Sequence, residues 1–226
     1  MNVTAVVLAA GSGRRVGSDI PKQFLPLGGR PMLHHSVEVF EGCEQVANMV
    51  VALPAGDDTD LSRYPKITSL VAGGATRQGS LHSALAGLPD SADTVLVHDA
   101  ARPLLGRPLI DTLLAALDDS CDGVIPAIPM EDTIKKVSGD LLVEEEVDRN
   151  GIWRVQTPQL FRRSVLEDAL ARAMASGLES TDCSQMLTTA GYRVRVVEGD
   201  PLNFKVTRAA DLWLAEQILA ARTEET

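Results

Sequence analysis

The 226-residue sequence is poor in cysteine, has no long apolar run and carries no surplus of positive charge. Cys43, Cys121 and Cys183 are odd in number and widely spaced, and no C-x-x-C occurs. That speaks against a disulfide framework or a zinc site and for a reducing compartment, here expected to be the cytoplasm. The first apolar run, residues 3–10, is too short to cross a bilayer and has no basic stretch before it. Neither a membrane anchor nor a secretory leader is expected. A net charge of −10 argues against nucleic acid as a partner. Internal repeats, low-complexity tracts and linkers are absent too. Apolar residues make up 45% of the chain, enough for one α/β domain over residues 1–226 with a sizeable core.

Against that acidic background, residues 8–29, LAAGSGRRVGSDIPKQFLPLGG, gather glycines and cations in one turn-rich stretch. Glycines let backbone N–H groups close around an anion, and Arg14, Arg15 and Lys22 add charge that backbone dipoles cannot supply. Such a loop suits a polyphosphate. Gly11, Gly13 and Gly17 come close to a dinucleotide fingerprint, which would make the chain a nicotinamide-dependent reductase. Pro21 falls where the required helix would be in its second turn, and residues 50–56, VVALPAG, offer Pro54 and Gly56 where the acidic ribose ligand would stand. The spacing instead resembles the sugar-nucleotide pyrophosphorylase superfamily: Leu8, Gly11, Gly13 and Arg15, then Pro21, Lys22, Leu27, Gly29 and Pro31.

Apolar, Val-rich runs alternate with helical periodicity, the signature of a Rossmann-like, mostly parallel α/β sheet. Strands are expected over residues 3–9, 46–53, 67–71, 94–97, 123–128 and 194–197. Helices are expected from Pro31 to about Phe40, after Gly73-Gly74, from Pro108 through Leu117, over 164–175 and 182–190, and after a Thr207 cap. Residues 131–151 break this rhythm. Two strands flanking Ser138-Gly139-Asp140 would form a protruding β-hairpin arm, with Lys135 and Lys136 across from Glu144, Glu145 and Glu146. The arm packs on a partner subunit or stays a flap on its own chain; periodicity favours neither.

A second chemical signal is VLVHDAAR. Ligands of open α/β sheets bind beyond the carboxyl ends of strands, where Asp99 stands with Arg102 close behind. A carboxylate there can hold Mg²⁺ beside substrate phosphates. His98 is read as a support for Asp99, and the adjacent His34 and His35 as structural. Lys205 is a further phosphate candidate, and Arg149 sits at the base of the arm. Thr157 and Thr181 can donate to a ligand, although Thr181 reads equally as a helix N-cap.

Taken in order, AAGSGRR, PKQFL, GGATRQGS, VHDAARP, DTIKKV, VDRNGIW, QTPQLF, TD and NFKVT span nearly the whole chain. The set resembles the 2-C-methyl-D-erythritol 4-phosphate cytidylyltransferase family of the non-mevalonate isoprenoid pathway. Ribitol-5-phosphate cytidylyltransferases share PKQFLPL, HD-x-x-R-P and QTPQ, but the VDRNGIW and HDAARP forms match the first family better. The resemblance implies a nucleotidyltransferase fold and transfer of CMP from CTP to a polyol phosphate with Mg²⁺. It places Ala9, Ala10, Gly11 and Gly13 at the CTP, Gly74 and Ser80 at the pyrimidine, and Ala100 and Arg102 beside a metal-binding Asp99. It makes Arg15, Lys22 and Lys205 the catalytic cations, and assigns Arg149, Thr157 and Thr181, with Lys205, to the polyol phosphate. It further implies a homodimer in which the arm carries Arg149 to the partner's site. Two departures stand out: Ala75, where many members are acidic, and Cys183, where many have Asp or Glu. A ribitol-phosphate acceptor and a non-catalytic nucleotide-binding protein on the same fold remain alternatives at this level.

Overall fold

In the computed structural model, which describes residues 1–11 and 20–224, the run Val3–Leu8 forms β1 and is buried along its whole length. A strand with no charged residue is stable only with both faces covered. It lies between two parallel neighbours, β4 (Val46–Leu53) and β6 (Thr94–Asp99), with β5 (Ile67–Ala72) outside β4. On the far side of β6 runs the antiparallel β11 (Gln159–Arg162), which also pairs β7 (Gly123–Pro129). The short β10 (Trp153–Val155) continues along that edge of β7, and β12 (Val194–Glu198) lies parallel on its other edge. Together they make one eight-stranded, mostly parallel sheet.

The alternation of β1 sends Val3, Ala5 and Val7 to one face and Val6 and Leu8 to the other. The first face meets Leu33, Val37 and Phe40 of α1 (Met32–Glu41) and Leu109, Ile110 and Leu113 of α3 (Arg107–Ala116). The second meets α2 (Arg77–Ala86), α4 (Arg163–Ser176) and α5 (Cys183–Thr189) through Leu81, Leu85, Leu166, Leu170 and Leu187. Each fully buried Leu or Ile in these layers contributes about 1.5–3 kcal/mol. A third cluster docks α6 (Ala209–Glu224) on Leu27, Met32 and Leu104. Leu27 belongs to a small hairpin of β2 (Pro26–Leu27) and β3 (Arg30–Pro31). All three cysteines are buried and unpaired. Among the described residues, no helix is long and apolar enough to cross a membrane.

The expected arm is present. β8 (Ile134–Val137) pairs antiparallel with β9 (Val143–Val147), Lys135 bonds Glu146, and Lys136 lies 3.5 and 3.3 Å from Glu144 and Glu145. Its tip exposes apolar side chains, Leu141 at 84%.

Three local expectations are corrected. β6 runs on through His98 and Asp99, because Leu8 still pairs Asp99 in the ladder although the apolar run has ended. The Thr207 hydroxyl does not accept from the last helix. It donates to Asp211 Oδ2, which also accepts the N–H groups of Thr207 and Arg208, so the cap comes from within the first turn. The N-cap of α5 is Asp182 rather than Thr181: its carboxylate accepts the Gln185 N–H at 3.0 Å.

Candidate active site

β1, β5 and β6 end close together, and the segments that leave them bound a cavity of about 580 Å³. Ala9, Ala10 and Gly11 leave β1, Gly74 to Arg77 follow β5, and Asp99 and Ala100 close β6. The loops approach closely enough to exclude side chains. A Cβ on Gly73 would sit 2.2 Å from that of Ala10, and one on Gly74 would sit 2.7 Å from the Gly79 backbone. Ser80 fixes this loop by accepting from Gly74 N at 3.2 Å and donating to Thr76 O at 3.0 Å. Thr76 caps α2 by accepting from Gly79 N. The positive end of that helix therefore borders the cavity, a setting that favours anions.

Lys22 and Lys205 reach the same cavity from distant parts of the chain. Lys22 Nζ donates to Val206 O at 3.2 Å, and Val206 N in turn donates to Ala101 O. Lys205 Nζ lies 2.7 Å from Asp99 Oδ2, while Arg77 Nε lies 3.1 Å from Oδ1. Asp99 is only 8% exposed. Burial opposes its charge, but Arg77, Lys205 and Arg102 outweigh burial and hold the carboxyl well below the usual carboxylate range.

The strand end is tied down by a hydrogen-bond chain whose directions follow from chemistry. His98 Nε2 faces the Arg102 carbonyl at 3.2 Å and must carry the proton there, since a carbonyl only accepts. Burial pushes the His98 pKa down to about 4, so the ring is neutral near pH 7 and Nδ1 is bare. The Thr157 hydroxyl, 3.1 Å away, therefore donates to Nδ1 and accepts the Asp99 N–H at 3.1 Å. Thr157 is 4% exposed, and its only proton is already engaged. It lines a second cavity of about 450 Å³ without a free donor to offer.

That second cavity also holds Arg102, Thr181, Asp182 and Ser184, and it shares Arg77, Asp99 and Lys205 with the first. The ion-paired trio is thus the wall between two chambers. Arg102 spans from Asn203 O (2.8 Å) to Val155 O (3.2 Å), fastening the Lys205 segment to β10. In the sequence Arg77 stands only as part of GGATRQGS, and nothing there singles it out. Its spacing marks only a first helical turn, where a cation is unfavourable. The sole warning is an arginine in that poor position.

Of the expected site residues, the structure gathers Ala9, Ala10, Gly11, Lys22, Gly74, Ser80, Asp99, Ala100 and Lys205 at the first cavity, and Arg102, Thr157 and Thr181 at the second. Arg149 borders neither; its guanidinium bonds the Glu131 carbonyl at the base of the arm. Gly13 and Arg15, with Arg14 and Gly17, lie outside the described residues. Ala75 presents only a methyl group to the first cavity. His34 and His35 are structural: one bonds the Tyr64 hydroxyl, the other the Leu27 carbonyl.

The family model for 2-C-methyl-D-erythritol 4-phosphate cytidylyltransferase matches residues 3–221. The chain belongs to this cytidylyltransferase family. It is 43% identical to the member from Burkholderia vietnamiensis, over 96% of this chain and 95% of that one. The member from Symbiobacterium thermophilum is 42% identical over 96% and 92% of the two chains. Among solved cytidylyltransferases, that of Thermus thermophilus superposes with a TM-score of 0.82 at 35% identity, covering 97% of this chain and all of that one. The Francisella tularensis enzyme gives 0.84 at 30% identity, over 96% and 99%. The expected nucleotidyltransferase architecture is therefore the one observed.

Proposed function

We propose that this cytidylyltransferase moves CMP from CTP to 2-C-methyl-D-erythritol 4-phosphate, giving 4-diphosphocytidyl-2-C-methyl-D-erythritol and pyrophosphate for isoprenoid precursors in the cytoplasm. The observation that carries the reading is the wall of Arg77, Asp99 and Lys205 shared by two chambers. CTP occupies the first chamber, against Ala9 to Gly11 and the loop of Gly74 and Ser80. The polyol phosphate occupies the second, near Thr181. Thr157 supports that chamber by holding Asp99 in place.

An oxygen of the acceptor phosphate attacks the α-phosphorus. The bond from that phosphorus to the β-phosphate bridge breaks, and pyrophosphate leaves with the electron pair. A phosphomonoester is largely dianionic near neutral pH, so no strong general base is needed. The difficulty is mutual repulsion, and the protein answers with positioning and charge. Lys22 and Arg15 offset the charge that grows on the leaving group, and Lys205 draws the acceptor phosphate to the wall.

Asp99 is the residue that would hold Mg²⁺. No other carboxylate lines the first cavity among the described residues, and both Asp99 oxygens already face cations. That donor set fits an ion that arrives on the triphosphate and keeps most of its ligands from phosphate and water. Bound there, it would neutralise phosphate oxygens.

The exposed arm with its apolar tip suits a homodimer in which Arg149 completes the partner's acceptor chamber. A two-stranded ribbon is marginal by itself in water. Pyrophosphate release with CTP, tested separately with methylerythritol phosphate and ribitol 5-phosphate, checks the reading. Release with the first acceptor alone is expected. Release only with the second, or with neither, overturns it.

A further inference from the structure

Arg77 is poorly satisfied for a buried cation. Its Nε bonds Asp99, its Nη1 faces the Cys183 thiol at 3.3 Å, and its Nη2 is buried with no hydrogen-bond partner. A thiol is a weak partner for a guanidinium. The side chain also sits in the first turn of α2, where the helix dipole opposes it. An under-bonded guanidinium costs stability unless a ligand completes its bonds. Arg102 repeats the pattern: its Nε is buried and unpartnered beside the same second cavity. Of the acids there, Asp99 is shared between two cations, and Asp182 is committed to Gln159, Ser184 and the Gln185 N–H. Among the described residues that line the cavity, none hydrogen-bonds Arg77 Nη2.

We infer that Arg77 is a substrate-binding residue whose Nη1–Nη2 edge takes the phosphate of the acceptor, exchanging the Cys183 thiol for two phosphate oxygens. The inference rests on the transfer reaction proposed above. A phosphomonoester dianion matches the fork of a guanidinium, and the thiol contact is cheap to surrender. Held at Nε by Asp99, the same group carries the acceptor to the wall between the chambers. Cys183 therefore matters as a weak placeholder that leaves Arg77 available.

The test uses Arg77→Lys and Arg77→Gln with steady-state kinetics in both substrates and calorimetric binding of CTP alone. The expected result is a KM for methylerythritol phosphate raised roughly 10- to 100-fold, as for lost hydrogen bonds to a charged group. Binding of CTP weakens by much less than the acceptor KM rises, because Arg77 only borders the first chamber, and Lys restores part of the loss seen with Gln because it keeps the charge. A fall in kcat at unchanged KM would instead mean that Arg77 acts only through Asp99, and would overturn the inference. So would CTP binding weakened as much as acceptor KM, or neither parameter moving. Should Gln unfold the chain, the Lys variant decides by the same criteria. If the wild-type chain released no pyrophosphate with this acceptor, the underlying reaction would fail, a result distinct from every variant outcome.

Discussion

Lys205 Nζ and Asp99 Oδ2 stand 2.7 Å apart, although 106 residues separate them in the chain. The pair forms because two cross-links converge beneath it. Val206 N bonds Ala101 O just beyond β6, and Asn203 Nδ2 bonds the Thr157 carbonyl. A carboxylate at a strand end thus meets a lysine that precedes the last helix. The contact places positive charge beside the β1 loop, where Lys22 already waits.

Lys22→Ala should fold normally and lose about 10²–10³ in kcat, the usual cost of one transition-state electrostatic donor. Arg15→Ala is expected to behave alike. Pyrophosphate release and a thermal melt on each variant check this; near-normal turnover would remove the residue from the mechanism.

Asp99→Asn should destabilise as well as inactivate. Arg77 and Lys205 would keep their charges and lose their shared partner. Lys205 is partly solvent-screened, so the loss is set at about 3 kcal/mol, the low end for breaking a buried pair. Urea denaturation measures it, and an unchanged midpoint would mean that the trio contributes nothing to folding.

His98 makes stability depend on pH. Its pKa falls from 6.5 to about 4 on folding, so between those values the unfolded chain binds a proton that the folded chain refuses. Stability is therefore full above pH 6.5 and declines as pH drops toward 4, by about 3 kcal/mol from this group. His34 and His35, lowered mainly by burial, add to the decline in the same direction. His98→Gln should give a shallower slope in denaturation measured between pH 7 and 4. A slope as steep as that of the parent would assign the effect elsewhere.

Arg149→Ala should chiefly raise KM for the acceptor. Mixed and exchanged with Lys22→Ala, it should regain about a quarter of the wild-type sites, because a mixed dimer carries one site with both residues. No recovery after exchange would place Arg149 in its own subunit's site or in none.

Much of this was legible in the sequence because two periodicities dominate it. β1 and β4 read as buried apolar runs, α3 showed its Leu and Ile stripe, and the arm showed two lysines facing a glutamate run, though not the register that pairs Lys135 with Glu146. Element ends were less legible. A ladder does not stop where hydrophobicity does, as His98 and Asp99 demonstrate. Residues that a contiguous motif brings to the first cavity, such as Gly74 and Asp99, announced themselves. Commitments made across the fold did not. That the Thr157 proton is spent on His98, and that Arg77 joins Asp99 to α5, depend on contacts 59, 22 and 106 residues apart in sequence.

A crystal structure with CTP and Mg²⁺ bears most directly on the central claim. The triphosphate should lie beyond the ends of β1 and β6, its phosphate oxygens reached by the Lys22 ammonium and the metal touching the Asp99 carboxylate. Nucleotide bound on another face, with Lys22 and Asp99 both clear of its phosphates, would contradict the account.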